Sequence, residues 1–259
     1  MNLAQTYELW KGIMRAGEEP LAWWQEVFVR FYQAFIEADR WKTYLEGVGT
    51  TLLVTAMALI IGVILGVVVA MIRTAHDQQR PGRPKNPLLG LVNAICKVYV
   101  TIIRGTPMMV QMLIMGMVIF ASSRNFTMVG ALTLGINSGA YVAEIIRGGL
   151  MSLDVGQSEA GRSLGLGYID TMRFIVVPQA FKAILPSLGN EFIILLKDTS
   201  LISIIGGQEM VYFARNIVNN TFDAMYPLVG AAVIYLALVM VFTWLQGKLE
   251  RRLRQSDRR

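Results

Sequence analysis

The sequence predicts an all-α integral membrane protein with about five transmembrane helices, its N-terminus outside and its C-terminus cytoplasmic. Three observations point there. Of 259 residues, 54% are hydrophobic and only 16% charged. Uncharged runs long enough to cross a bilayer recur along the chain, and basic residues gather in a few short loops and the tail. A hydrocarbon core of ~30 Å needs about 20 apolar residues of helix, and a chain this poor in charge, with a mean hydropathy of +0.48, takes lipid as its solvent.

Composition also excludes several classes. The formal net charge of +6 would suggest a nucleic-acid partner in a soluble protein, but its clustering in loops is a topology signal, so none is expected. Cys96 and His76 are each the only residue of their kind, which rules out an internal disulfide and a Cys/His metal cluster. Cys96 reads as a small apolar packing residue and His76 as a solvated loop residue. The opening residues carry acids early and lack the basic-then-apolar order of a signal peptide, so the segment is expected to be retained.

Residues 1–43 read as an extracytoplasmic interfacial segment. Leu21, Trp24, Phe28, Phe31 and Phe35 recur at helical spacing, with Glu26, Arg30, Gln33 and Glu37 on the other face, as in an amphipathic helix lying on a membrane surface. Four of the five tryptophans fall within the first 41 residues, matching an interfacial belt.

Residues 44–247 read as the transmembrane domain. Uncharged runs at 47–72, 105–123, 125–143 and 224–247 supply four spans. In the first of them, Gly62 and Gly66 have the spacing that lets two helices approach closely, here expected within the chain. The segment 86–103, split by Lys97 and followed by Arg104-Gly105-Thr106-Pro107, is expected to form an in-plane elbow leading into the second span.

The fifth span, about 182–206, is apolar but interrupted by Glu191, Lys197 and Asp198, and the loop charges require it. Arg73, Arg80, Arg83, Lys85, Lys97 and Arg104 lie between the first and second spans, and Arg147, Arg162, Arg173 and Lys182 between the third and fourth. The tail, residues 248–259, adds Lys248, Arg251, Arg252, Arg254, Arg258 and Arg259, whereas 122–128 and 206–226 hold only Arg124 and Arg215. Omitting the 182–206 span would put the tail on the opposite side from the basic loop, against the positive-inside rule.

The loop at about 150–180 reads EAGRSLGLGYIDTMRFIVVP from Glu159 to Pro178. A short helix closed by a glycine turn presents a compact knob that a partner can grip, and Gly165 and Gly167 permit the turn. This stretch resembles the EAA signature of binding-protein-dependent ABC permeases: Glu159, Ala160, Gly165, Ile175 and Pro178 match the pattern, and Gly161 and Val177 depart from it. Gly161 is expected to loosen the short helix by about 1 kcal/mol relative to Ala.

Three further stretches are similar to the polar amino-acid subfamily of those permeases: Arg104-Gly105-Thr106-Pro107-Met108-Met109-Val110-Gln111, GAYVAEIIRGGL from Gly139, and NEFIILLKDTSLISIIG from Asn190. The resemblance runs from about Tyr44 to the last span. It implies the type I ABC importer fold in a bacterial inner membrane and a polar amino acid as cargo. It also implies a second permease, copy or paralogue, two ATP-binding cassette subunits and an extracytoplasmic binding protein. Glu159, Ala160, Gly161, Ser163, Leu164, Gly165 and Gly167 then fall at the ATPase contact. The chain has no G-x-x-x-x-G-K-[ST] loop, so no cofactor is expected on it, and ATP and Mg are expected on the partner ATPase.

An ionisable residue at the bilayer centre costs ~3 kcal/mol on insertion scales, so each one suggests a pathway or a pairing role. Asn137, Tyr141 and Glu144 share a helical face, with Ser138 beside them, and this face is expected to line a pore. The Glu144 carboxylate either receives a substrate ammonium or forms an internal salt bridge, and Arg147 can pair with it along the helix. Glu191, Asp198 and Thr199 are further candidates for the substrate pathway; for the run from Lys197 the resemblance implies gating or packing machinery, with Glu191 similar, and Lys197 or Asp198 is expected to pair across helices. Thr106 and Met108 flank Pro107 at a span start, where pore-lining and simple helix initiation are equally consistent. A gradient-driven secondary transporter or channel would use the same buried charges, although an odd span count argues against two inverted repeats. No H-E-x-x-H motif is present and no histidine lies within any of the spans, so an enzyme is not indicated.

Overall fold

A computed structural model describes residues 2–17, 20–77, 79 and 86–256. Arg80, Arg83, Lys85, Arg258 and Arg259, and the Arg254 side chain, lie outside the described residues and side chains. All regular structure among the described residues is helical: α1 (Leu3–Ala16), α2 (Trp23–Phe35), α3 (Arg40–Asp77), α4 (Pro87–Gly105), α5 (Met108–Ile114), α6 (Phe126–Met151), α7 (Val155–Ser163), α8 (Tyr168–Thr171), α9 (Val177–Asp198), α10 (Met210–Thr221) and α11 (Met225–Ser256). π turns at Met115–Ile119 and Met172–Val176 extend α5 and lead into α9, and a 3₁₀ stretch, Thr199–Ile205, continues α9.

Four helices are long and apolar enough to cross a membrane: Glu37–Asp77, Pro87–Gly105, Phe126–Met151 and Met225–Leu253. Two expectations change. The elbow placed at 86–103 is instead the apolar helix α4, and the run at 105–123 is broken. Thr106 is extended, at φ −117° and ψ 146°, because a residue before proline is pushed out of the helical region. The helix after Pro107, Met108–Ile119, is too short to span alone. The 182–206 segment does fold as α9 and its 3₁₀ extension, but it is not among the four apolar helices, and Glu191 within it is buried.

The chain divides into two compact units. One holds the described residues through Thr51 with Gln208–Leu238. Here α1, which the sequence did not announce, pairs with α2 through aromatic contacts: Tyr7 stacks on Tyr32 at 4.3 Å, and Trp10 meets Trp24 and Phe28 edge-on. Of the stripe expected on α2, Trp24, Phe28, Phe31 and Phe35 all meet neighbouring rings, and Trp24 and Phe31 also stay exposed. Tyr44, Met210, Ala214, Ile217 and Ala231 form this unit's core.

The other unit holds Leu52–Gly207 and the chain from Val239. Its central helix is α6, whose buried face is built largely of small residues, among them Ala131, Gly135, Ser138, Gly139, Ala140 and Ala143. That face lets α3 approach: a Cβ on Gly62 would lie 2.7 Å from Ser138 Oγ, and one on Gly66 would lie 2.6 Å from Val142 Cγ1. The small-residue pair in α3 therefore serves packing within the chain. On another side of α6, Tyr99 of α4 donates to the Ile136 carbonyl at 2.6 Å, which fixes α4 beside it.

Candidate functional site

Helices α4 and α6 each carry a polar stripe with the same spacing. On α4 it is Lys97, Thr101 and Arg104; on α6 it is Asn137, Tyr141 and Glu144. Residues spaced by four and three lie on one face of a helix. A cavity of about 360 Å³ is lined by Arg73, Lys97, Val100, Thr101, Arg104 and Glu144. The Arg104 guanidinium lies over the Tyr141 ring, 5.2 Å from its centroid. Below it, the Gln111 amide donates to Thr106 Oγ1 and to the Ile103 carbonyl, both at 2.8 Å, and the Asn137 amide donates to Gln111 Oε1 at 2.9 Å. This network bridges the break at Thr106-Pro107.

Glu144 is already paired. Arg73 of α3 binds its Oε1, and Arg147 approaches Oε2 at 3.5 Å. The internal salt bridge, one of the two roles read for this carboxylate, is formed.

The remaining pathway candidates lie elsewhere. Ser138 donates to Glu191 Oε1 at 2.8 Å, and both are buried; this pair ties α6 to α9. Thr199 is fully buried and donates to the Leu196 carbonyl at 2.7 Å, while Met108 packs against the core around Met112 and Val129. Asp198 is half-buried, and among the described residues neither it nor Lys197 forms a salt bridge across helices. Thr106, Asn137, Tyr141 and Glu144 are thus brought together, and Ser138, Glu191, Asp198, Thr199 and Met108 are not. Sequence reading missed Arg73, Lys97, Arg104 and Gln111 as members of the site. The repeated spacing of Lys97, Thr101 and Arg104 was the signal that could have found three polar residues of α4.

The second feature is the helix α7 and the turn after it. Asp154 caps α7 by accepting from Gly156 N at 2.8 Å. At the other end, Gly165 N donates to the Arg162 carbonyl and Leu166 N to the Gly161 carbonyl, with Gly165 at φ +80°. This is a Schellman closure, and it needs a residue tolerant of left-handed backbone at position 165. Gly167, at φ −66°, is in ordinary extended backbone. Gly161 is buried: a Cβ there would lie 2.8 Å from Thr171 Cγ2 and 2.9 Å from Thr171 Oγ1. Its departure from alanine therefore has a packing reason in this chain. Glu159, Ala160 and Ser163 are exposed, as are Leu164, Tyr168 and Ile169, which put an apolar tip on the knob.

Residues 88–255 match the family described as binding-protein-dependent transport system inner membrane component. The chain belongs to that family. It is 33% identical over 217 residues to the glutamine transport system permease protein GlnP of Escherichia coli K12, covering 81% of this chain and 92% of that protein. It is 33% identical over 218 residues to the arginine transport system permease protein ArtQ of Bacillus subtilis, covering 82% and 93%. A solved amino acid ABC transporter with histidines superposes with a TM-score of 0.72 at 36% identity, covering 82% of this chain and 94% of that one. The matched region contains the α4 and α6 stripes and the α7 knob, and starts after the α1–α2 pair. The chain is thus an integral membrane permease of the ABC importer type, with ATP hydrolysis on a separate subunit.

Proposed function

We propose that this permease forms, with a second copy or a paralogue, the path by which a polar or charged L-amino acid released from an extracytoplasmic binding protein enters the cytoplasm. Movement is by alternating access, driven by two ATP-binding cassette subunits that carry ATP and Mg and grip the knob from Glu159 to Gly167. The membrane is the bacterial inner membrane, with residues 1–43 outside against lipid and the basic tail, 248–259, in the cytoplasm.

One observation carries the reading. Two polar stripes lie side by side on helices otherwise apolar enough to cross a bilayer. Facing lipid, each ionisable group would cost ~3 kcal/mol; facing a partner subunit and a water-filled path, the same groups meet polar surroundings. The exposed, well-capped knob supports the coupling role, since a lever must be rigid to transmit force.

The test is uptake by the complete complex, purified from its host and reconstituted into vesicles with its binding protein. Accumulation of radiolabelled amino acid that requires ATP and survives a protonophore supports the reading. Accumulation that needs no ATP and collapses with the proton gradient would replace it with a gradient-driven transporter.

A further inference from the structure

The charge arrangement around the α4–α6 cavity identifies a substrate class, resting on the proposed pathway. Its wall carries three cations, Arg73, Lys97 and Arg104, and one carboxylate, Glu144. That carboxylate is shared by Arg73 and by Arg147 from behind. Of the two acids on α9, Glu191 is buried and turned to Ser138, and Asp198 forms no salt bridge among the described residues. Lys97 and Arg104 are therefore left without an anionic partner among the described residues: Arg104 rests on the Tyr141 ring, and Lys97 is exposed.

A cationic amino acid would bring two positive groups to a wall whose carboxylate is already doubly engaged. A neutral one brings a single carboxylate for two cations. A dicarboxylic amino acid brings two carboxylates, matching Lys97 and Arg104, and the Thr101 hydroxyl on the same wall can accept from its ammonium. Opposite charges at contact distance in a partly desolvated cavity attract far more strongly than in bulk water, and like charges repel as strongly. We infer that the pathway is built for an anionic, dicarboxylic L-amino acid, with Lys97 and Arg104 as its specificity-determining residues.

The test is equilibrium binding of radiolabelled L-glutamate, L-aspartate, L-glutamine and L-arginine to the detergent-purified permease–ATPase complex without its binding protein. ATP-driven uptake of the same four compounds is measured in parallel by the complete system. The expected result is binding of L-glutamate or L-aspartate at least tenfold tighter than L-arginine and L-glutamine. Lys97→Gln should weaken it about tenfold, Lys97→Arg should retain it, and Lys97→Glu should shift preference toward L-arginine. Tighter binding of L-arginine or L-glutamine, or no binding of the two acids, overturns the inference. In either case ATP-driven uptake of any of the four shows that the pathway reading survives, and absence of all such uptake removes both.

Discussion

Gly161 packs against Thr171 so closely that one methyl group on Gly161 would lie 2.8 Å from the threonine Cγ2. The knob is therefore a fitted piece in which α7 rests on the segment leading into α9. Gly161→Ala, which would favour an isolated helix, should instead destabilise the knob by about 1–3 kcal/mol through overpacking. Thr171→Ala in the same chain should relieve the clash. Limited proteolysis of the 150–180 segment checks this: faster cleavage in the single variant, restored toward wild type in the double. Equal cleavage of wild type and Gly161→Ala would remove the packing explanation.

Removing one partner of the Arg73–Glu144 pair leaves the other charge unpartnered in a poorly solvated place. Glu144→Gln should cost about 1.5–3 kcal/mol, less than a fully buried pair because both side chains keep some solvent contact. A cycle with Arg73→Gln should show coupling between the two positions, read as thermal unfolding in detergent. Additive effects would mean the pair contributes nothing of its own.

Ser138 and Asn137 are adjacent in sequence but point to different surroundings, so their substitutions should separate. Ser138→Ala strips the buried Glu191 carboxyl of its hydrogen bond and should cost about 1–3 kcal/mol of stability, with substrate preference unchanged. Asn137→Ala, which loses only the part-buried bond to Gln111, should lower the melting temperature less than Ser138→Ala and reduce transport several-fold. Loss of substrate preference in the Ser138 variant would return that residue to the pathway.

Much of this was legible from sequence. Hydropathy located three of the four long apolar helices and missed α4, and the spacing of Asn137, Tyr141 and Glu144 found half of the polar face. The knob was legible because its glycine turn has a local signature. What stayed hidden depended on neighbours. Lys97 and Arg104 looked like loop charges because a basic residue beside Gly-Thr-Pro is ordinarily solvated, and only the packing of α4 on α6 shows them facing Tyr141 and Glu144. Ser138 was grouped with Asn137 because adjacency in sequence does not reveal which side of α6 meets α9. Gly161 looked like a weakened helix position because Thr171, which occupies the space of its missing methyl, reaches it only in the folded loop.

Glu209 gives a pH prediction. It caps α10 by accepting from Val211 N at 2.9 Å and Tyr212 N at 2.8 Å, and it accepts from Tyr235 Oη at 2.9 Å. Burial pushes its carboxyl from 4.5 up to about 7, with these hydrogen bonds pulling the other way. A raised folded value means the stabilising contribution is full below about pH 4.5 and is lost as pH rises through about 7, a change on the order of 3 kcal/mol. Thermal unfolding should therefore occur at a lower temperature at pH 8 than at pH 5, and Glu209→Gln should flatten the difference. An unchanged pH dependence in the variant would assign the effect to other groups.

The most direct measurement isolates the complex from membranes of its own host in mild detergent and assays ATP hydrolysis for wild type and for Gly165→Asp. Aspartate at the φ +80° position adds strain and charge to the turn that closes α7. An ATPase that co-purifies with wild type, and is lost or uncoupled from transport in Gly165→Asp, is the expected result. Absence of any co-purifying ATPase, or coupling indifferent to Gly165→Asp, would contradict an ATP-driven permease working through this knob.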